Sequence, residues 1–224
     1  MKECNEFAYG LNLTDNYRGW ILKSDLGQLP DFNYYVSEIR TNILTKPNIK
    51  SHYISYIPLR AKVKVIKNKN GWAEVYIGHH CENKTGFVIF NHLINKVIIN
   101  KDWVLFAEKF YNSPYRWGGR DSLGIDCSAL LQLSLSFAGI SIPRDTSDQI
   151  KYFVKSDCFK VEDYHKNLIK RRSIIFWEGH VGIAVNENTI IHASGHHHKV
   201  VYEELYITIK RINKKVLVVN QIDE

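Results

Sequence analysis

Cysteine is scarce in this chain. Its four cysteines, Cys4, Cys81, Cys127 and Cys158, stand far apart and form no Cys-x-x-Cys pair. In a chain of 224 residues that excludes a dense disulfide framework and fits a reducing compartment. Long apolar runs are missing too. No segment approaches the roughly 20 apolar residues of a membrane helix, and the N-terminal region holds no continuous apolar stretch such as a secretory signal needs. Unless the N-terminus is truncated, these absences predict a cytoplasmic protein with no membrane partner. Acidic charge is the scarcer sign, with 23 Asp and Glu against 30 Lys and Arg, a net charge of +7. The excess is spread along the chain, so it reads as a solvated basic surface. No fingerprint of a nucleic-acid-binding fold accompanies it, and charge alone would carry such a reading. His79-His80 and His196-His197-His198 match no zinc spacing. Three consecutive strand residues alternate faces and cannot converge on one ion, so no metal or other cofactor is expected.

The first half reads as all-β. Ala61-Lys62-Val63-Lys64-Val65-Ile66 alternates polar and apolar residues, Asn68-Lys69-Asn70-Gly71 is a turn signal, and Trp72–Ile77 and Gly86–Phe90 are further strands. An internal repeat runs through it. Phe7-Ala8, Gly19-Trp20-Ile21 and Ser24-Asp25-Leu26 recur as Trp72-Ala73, Gly86-Phe87-Val88 and Asn91-His92-Leu93. The unit resembles the closing half of a bacterial SH3-like barrel, seen twice. This implies a partial or shortened segment over 1–30, an SH3-like barrel over 31–95, and a separate domain over 96–224.

That last domain alternates helix and strand. Asp102–Tyr111 reads as a helix with Asp102 as its cap, and Cys127–Ala138 as a second helix closed by Gly139. Ser173–Phe176, His180–Val185, Thr189–Ala193 and Val216–Asn220 read as antiparallel strands. The fold class is therefore α+β, with a leading helix packed on a sheet. Its chemistry is concentrated at Cys127, which an aromatic and glycine-rich loop, Tyr115-Arg116-Trp117-Gly118-Gly119, feeds into the first turn of the helix. A helix N-terminus carries about half a positive charge and eases thiol ionisation. His180 and His192 follow in strands. A cysteine with distant histidines is a candidate nucleophile and base joined in space.

Tyr115-x-Trp117-Gly118-Gly119, Gly124-x-Asp126-Cys127-Ser128, Pro143-Arg144-Asp145 with Gln149, His180-Val181-Gly182-Ile183 and Ile191-His192-Ala193 occur in that order. The set resembles the NlpC-type cell-wall cysteine peptidases, which have a papain-like fold. The resemblance covers about residues 100 to 220. It implies cleavage of the γ-D-glutamyl–diamino acid bond of peptidoglycan-derived peptides, with Cys127 as nucleophile, His180 as the base that takes and returns the proton, and His192 holding the His180 ring in one tautomer. It also implies a pocket lined by Tyr115, Trp117, Asp126, Ser128, Arg144 and Thr146. Asp126 and Ser128 would receive the free amine of an N-terminal L-Ala, and Arg144 a substrate carboxylate. An attached barrel would narrow the cleft and favour free peptides over intact wall. Two departures stand out: Arg172-Ser173 replaces the usual Gly-Asp before a buried strand, and Ala129 stands where Gly is common. The alternatives are a papain-like acyltransferase using the same thioester, and a non-catalytic wall-binding module.

Overall fold

The computed structural model describes residues 2–27, 31–78, 84–95, 102–155, 160–163 and 169–220. Cys81, Cys158, His79 and His80 lie outside them. The chain divides into two compact units, Met1–Ile98 and Ile99–Glu224.

The first unit is all antiparallel β. Strands β1 (Lys2–Cys4), β2 (Phe7–Leu11) and β3 (Arg18–Leu22) form one small sheet. Then follow β4 (Tyr34–Val36), β5 (Arg40–Leu44), β6 (Tyr53–Pro58), β7 (Lys62–Val63), β8 (Val65–Lys69), β9 (Trp72–Tyr76), β10 (Thr85–Ile89) and β11 (Leu93–Asn95). They make a five-stranded sheet in the order β6-β5-β10-β9-β8 and a three-stranded sheet in the order β11-β4-β7. Both sheets bury side chains in one core of Val36, Ile43, Val63, Val65, Ala73, Val75, Val88 and Leu93. The alternating run expected as one strand breaks at Lys64. Val63 and Val65 still share the buried face, because β7 joins one sheet and β8 the other. Asn70 and Gly71 both have positive φ and close the β8–β9 hairpin as a two-residue loop between Lys69 and Trp72.

The internal repeat has a structural counterpart. Ala8 pairs with Ile21 across β2 and β3, as Ala73 pairs with Val88 across β9 and β10. Each hairpin is followed at once by a single 3₁₀ turn, Lys23–Asp25 in one copy and Phe90–His92 in the other.

The second unit is built on a six-stranded antiparallel sheet. It contains α1 (Val104–Glu108), β12 (Arg120–Asp121), β13 (Gly124–Ile125), α2 (Cys127–Ser136), α3 (Thr146–Lys155), β14 (Lys160–Asp163) and β15 (Ile174–Trp177). β16 (His180–Ala184), β17 (Thr189–Ser194), β18 (Lys199–Glu204), α4 (Leu205–Ile212) and β19 (Leu217–Asn220) complete it. The sheet order is β14-β19-β15-β16-β17-β18. Every residue of α2 from Cys127 to Leu135 is buried, and the helix lies against β16 and β17. Two of its buried polar side chains bond within the fold: Ser134 Oγ donates to Leu130 O at 2.7 Å, and Gln132 Nε2 donates to Ile142 O at 3.0 Å. Gly139, at φ +76°, ends the helix as expected.

Two expectations are corrected. α1 is shorter than foreseen, and Asp102 does not cap it. The Asp102 carboxylate is held instead by the Arg171 guanidinium, at 3.0 to 3.2 Å, which also reaches Glu108. Arg172, which replaces the usual glycine, adopts φ +80° all the same, and Ser173 Oγ accepts from Lys170 N–H at 3.0 Å to tie the turn.

Candidate active site

The start of α2 is assembled around Asp126. As the N-cap, its Oδ1 accepts from Ala129 N–H at 2.9 Å. Oδ1 also accepts from Ser128 Oγ at 3.1 Å and from Arg144 at 3.0 Å, while Oδ2 accepts from Arg144 at 2.6 Å and from Gly118 N–H at 2.9 Å. Arg144 donates to Ser128 Oγ as well, at 2.8 Å. The pair is buried, with side chains 9% and 8% exposed. A forked guanidinium on a carboxylate that is also a helix cap fixes the loop and helix relative to each other. Gln149 of α3 adds a clamp, donating from Nε2 to Ser128 O and Pro143 O.

The loop before Cys127 depends on glycine at two places. Gly118 has φ +74°. Gly119 passes so close to Gly124 that a Cβ would overlap the Gly124 carbonyl.

Cys127 is 7% exposed. Its Sγ lies 3.9 Å from Thr146 Oγ1, at the start of α3, and receives the backbone N–H of Val181, the residue next to His180. Burial pushes the thiol upward, against the Val181, Thr146 and Ser128 hydrogen bonds that favour the thiolate. Desolvation therefore outweighs the hydrogen bonds that favour the thiolate. Tyr115 is pushed up to about 12 by burial and by the neighbouring Cys127 and Asp126 charges, so its hydroxyl stays a donor.

On the sheet, His180 Nε2 and His192 Nδ1 are 2.7 Å apart. His192 is 1% exposed. Burial, followed by the charge of His192, holds His180 down at about 3, so the ring is neutral at rest. Burial lowers His192 too, opposed by Glu203. The line continues: His192 Nε2 lies 3.0 Å from Glu203 Oε2 on β18, and Arg211 of α4 donates to both Glu203 oxygens, at 3.1 and 2.6 Å. Burial would raise Glu203, but the His192 and Arg211 hydrogen bonds keep it well below the usual carboxylate range.

Tyr115, Asp126, Cys127, Ser128, Arg144 and Thr146 are thus gathered at one end of α2, and His180 and His192 are bonded to each other. Trp117 is 85% exposed on the adjoining loop, which rules out a core role. Asp126 and Arg144, expected to meet a substrate amine and a substrate carboxylate, are paired with each other. Glu203 and Arg211 were not foreseen. Their signal is the hairpin register, in which His192 pairs with Val201 and so lies diagonal to Glu203 on the same face. Among the described residues, no group of three His, Cys, Asp or Glu side chains could hold a metal ion.

A family model described as the NlpC/P60 family matches residues 112–218. The second unit is an NlpC/P60 family domain. Over 106 residues the chain is 28% identical to "Dipeptidyl-peptidase 6" of Lysinibacillus sphaericus, covering 47% of this chain and 36% of that protein. Over 124 residues it is 32% identical to "Probable endopeptidase NlpC homolog" of Haemophilus influenzae, covering 50% and 60%. The chain therefore spans about a third of the first of these two curated relatives and three-fifths of the second. The fold is shared with the crystal structure of an NlpC/P60 family protein from Bacillus cereus. The TM-score is 0.77 at 16% identity, over 99% of this chain and 77% of that one. In this NlpC/P60 domain a mixed α/β fold combines sheets with few helices, and the matched segment takes in Cys127, His180, His192, Glu203 and Arg211.

Proposed function

We propose that this NlpC/P60 domain is a cysteine peptidase. It would cleave the γ-D-glutamyl–diamino acid bond of peptidoglycan-derived peptides that carry a free N-terminal L-Ala. The observation that carries the reading is the bonded pair His180–His192, set beside a cysteine that opens a buried helix. His180 would accept the Cys127 proton as Sγ attacks the γ-carbonyl carbon, the C–N bond would then break, and His180 would return the proton to the leaving amine. Water would next hydrolyse the thioester by the reverse proton route. A neutral base beside a neutral thiol suits this sequence, since the proton moves as the bond forms. The Cys127 N–H, at the first position of α2, has no carbonyl one turn back within the helix and would be a donor to the oxyanion, since the Ala129 N–H is taken by the Asp126 cap.

Tyr115, Trp117, Asp126, Ser128, Arg144 and Thr146 would line the pocket. An entering ammonium would have to share the Asp126 carboxylate with Arg144, whereas Ser128 Oγ retains a lone pair. The name of the dipeptidyl-peptidase relative fits release of L-Ala-D-Glu from a free N-terminus. On this reading the second unit is papain-like, and the first unit is a bacterial SH3-like barrel over 31–95, preceded by a shortened copy over 1–30. Its repeated hairpin-and-turn supports that assignment.

The test is mass spectrometry of L-Ala-γ-D-Glu-meso-diaminopimelate after incubation with the protein, beside the N-acetylated peptide. Release of L-Ala-D-Glu from the free peptide alone is the expected result. Equal cleavage of both peptides would overturn the amine requirement. With cleavage of neither, transfer to an added amine acceptor would establish the acyltransferase instead.

A further inference from the structure

The polar line behind the thiol has four members on four successive elements: His180 on β16, His192 on β17, Glu203 on β18 and Arg211 on α4. An ionised carboxylate can only accept hydrogen bonds. Glu203 Oε2, 3.0 Å from His192 Nε2, therefore requires the proton of His192 to sit on Nε2. The Nδ1 atom of His192 is then bare and can only accept. Its partner 2.7 Å away, His180 Nε2, must be the donor. The proton of His180 is placed on Nε2, and its Nδ1 is left with a free lone pair. Each step follows from the one before it, and the chain starts at Glu203.

We propose that Glu203 is a positioning residue that sets the tautomer of both histidines, leaving His180 Nδ1 as the base for Cys127, and that Arg211 moderates how strongly it does so. The inference rests on the cysteine-peptidase reading. Glu203 is suited to the task because both of its oxygens are held, Oε1 by Arg211 Nε at 3.1 Å and Oε2 by a second Arg211 nitrogen at 2.6 Å. His197 Nε2, in the β17–β18 connection, stands 3.5 Å from Oε1. The charges act on His180 with opposite signs, Glu203 favouring its protonated form and Arg211 opposing it. The ring of Trp177 on β15 flanks His180 and carries no charge. On the thiol side, Tyr115, Asp126 with its partner Arg144, and Thr146 face Cys127 and are left unchanged by the variants below.

The opposed signs give a test that a purely structural ion pair would fail. The rate at which iodoacetamide alkylates Cys127 is measured from about pH 5 to about pH 10, with the modified peptide identified by mass spectrometry. Parent, Glu203→Gln and Arg211→Gln proteins are compared. With both groups neutral at rest, alkylation below the thiol's own inflection runs through the small thiolate–imidazolium population, and its rate there is independent of pH. Without the Glu203 charge the imidazolium is less favoured, and that plateau rate should shift down about tenfold. Without Arg211 the same charge is unopposed, and the plateau rate should shift up. Shifts of the same sign, or no shift in either variant, would overturn the proposal. If Glu203→Gln does not fold by circular dichroism, the Arg211→Gln protein decides alone: an upward shift supports the inference, and no shift or a downward one sinks it. Ring ¹⁵N spectra of the parent should show both histidines protonated at Nε2, and a proton on His180 Nδ1 would contradict the assignment directly. None of these measurements uses a peptide substrate. Opposed shifts without peptide cleavage would sink the substrate reading and leave the relay standing. Cleavage without the shifts would do the reverse.

Discussion

Cys127, His180 and His192 were legible as residues because each sits in a short local pattern: a glycine-rich loop running into a helix, and two histidines at strand positions. Glu203 was not legible, because what joins it to His192 is the pairing of two strands across a hairpin, and nothing in the spacing along the chain encodes that register. Replacing His192 with Ala should lower kcat roughly 10²–10⁴-fold while KM stays near its parent value, because the ring orients a base and touches no substrate. Steady-state kinetics on the free tripeptide check this, and a rise in KM alone would contradict it. Asp126 has a different kind of importance. It is buried, caps α2 and neutralises Arg144. Asp126→Asn strands a buried guanidinium and should cost roughly 3 kcal/mol of stability, read from chemical denaturation. The expected thiol activation at the helix start shows where local reasoning stops. The helix start can be read along the chain, whereas the burial that pushes the thiol upward comes from the packing around the whole of α2.

Among the elements, strands with clear alternation or apolar runs were readable to within a residue or two: β9, β10, β15, β16, β17 and β19. β18 escaped because its pattern is mixed, with Lys199 and Tyr202 exposed and Val200 and Val201 both buried. α3 and α4 are amphipathic and polar enough to pass for loop. Two turns carry the geometry. At Gly119 a methyl group would overlap the Gly124 carbonyl, so Gly119→Ala must displace the loop that leads to Asp126. Turnover should fall at least tenfold and the thermal midpoint should drop, as measured by peptide cleavage and calorimetry. At Arg172 the left-handed conformation is held by a residue with a side chain. Arg172→Val, β-branched in that region, should destabilise the protein by about 1–2 kcal/mol, whereas Arg172→Gly should not.

At the scale of the whole molecule, the order of helix and strand patterns indicated an α+β domain, and the ordered motifs pointed to the family. Neither indicated how much of the site would be buried. Burial has a consequence for acid stability. His180 is held at about 3 in the fold against an ordinary 6.5. Between those values the unfolded chain binds a proton that the folded chain does not, so stability is complete above about pH 6.5 and declines as pH falls toward 3. Glu203, held low, adds a loss in the same direction once pH drops below the ordinary carboxylate value of 4.5. Thermal unfolding from neutral pH down to about pH 4 should show a falling midpoint, and a His180→Gln variant should show a flatter one. An equal slope in both proteins would contradict the assignment.

The central claim is that the Cys127 thiol forms the bond to substrate. Turnover of L-Ala-γ-D-Glu-meso-diaminopimelate by the parent and by a folded Cys127→Ala protein tests it most directly. The account predicts release of L-Ala-D-Glu by the parent and a loss of about 10⁴-fold or more in the variant, to background. Cleavage by the Cys127→Ala protein at a rate near that of the parent would contradict it.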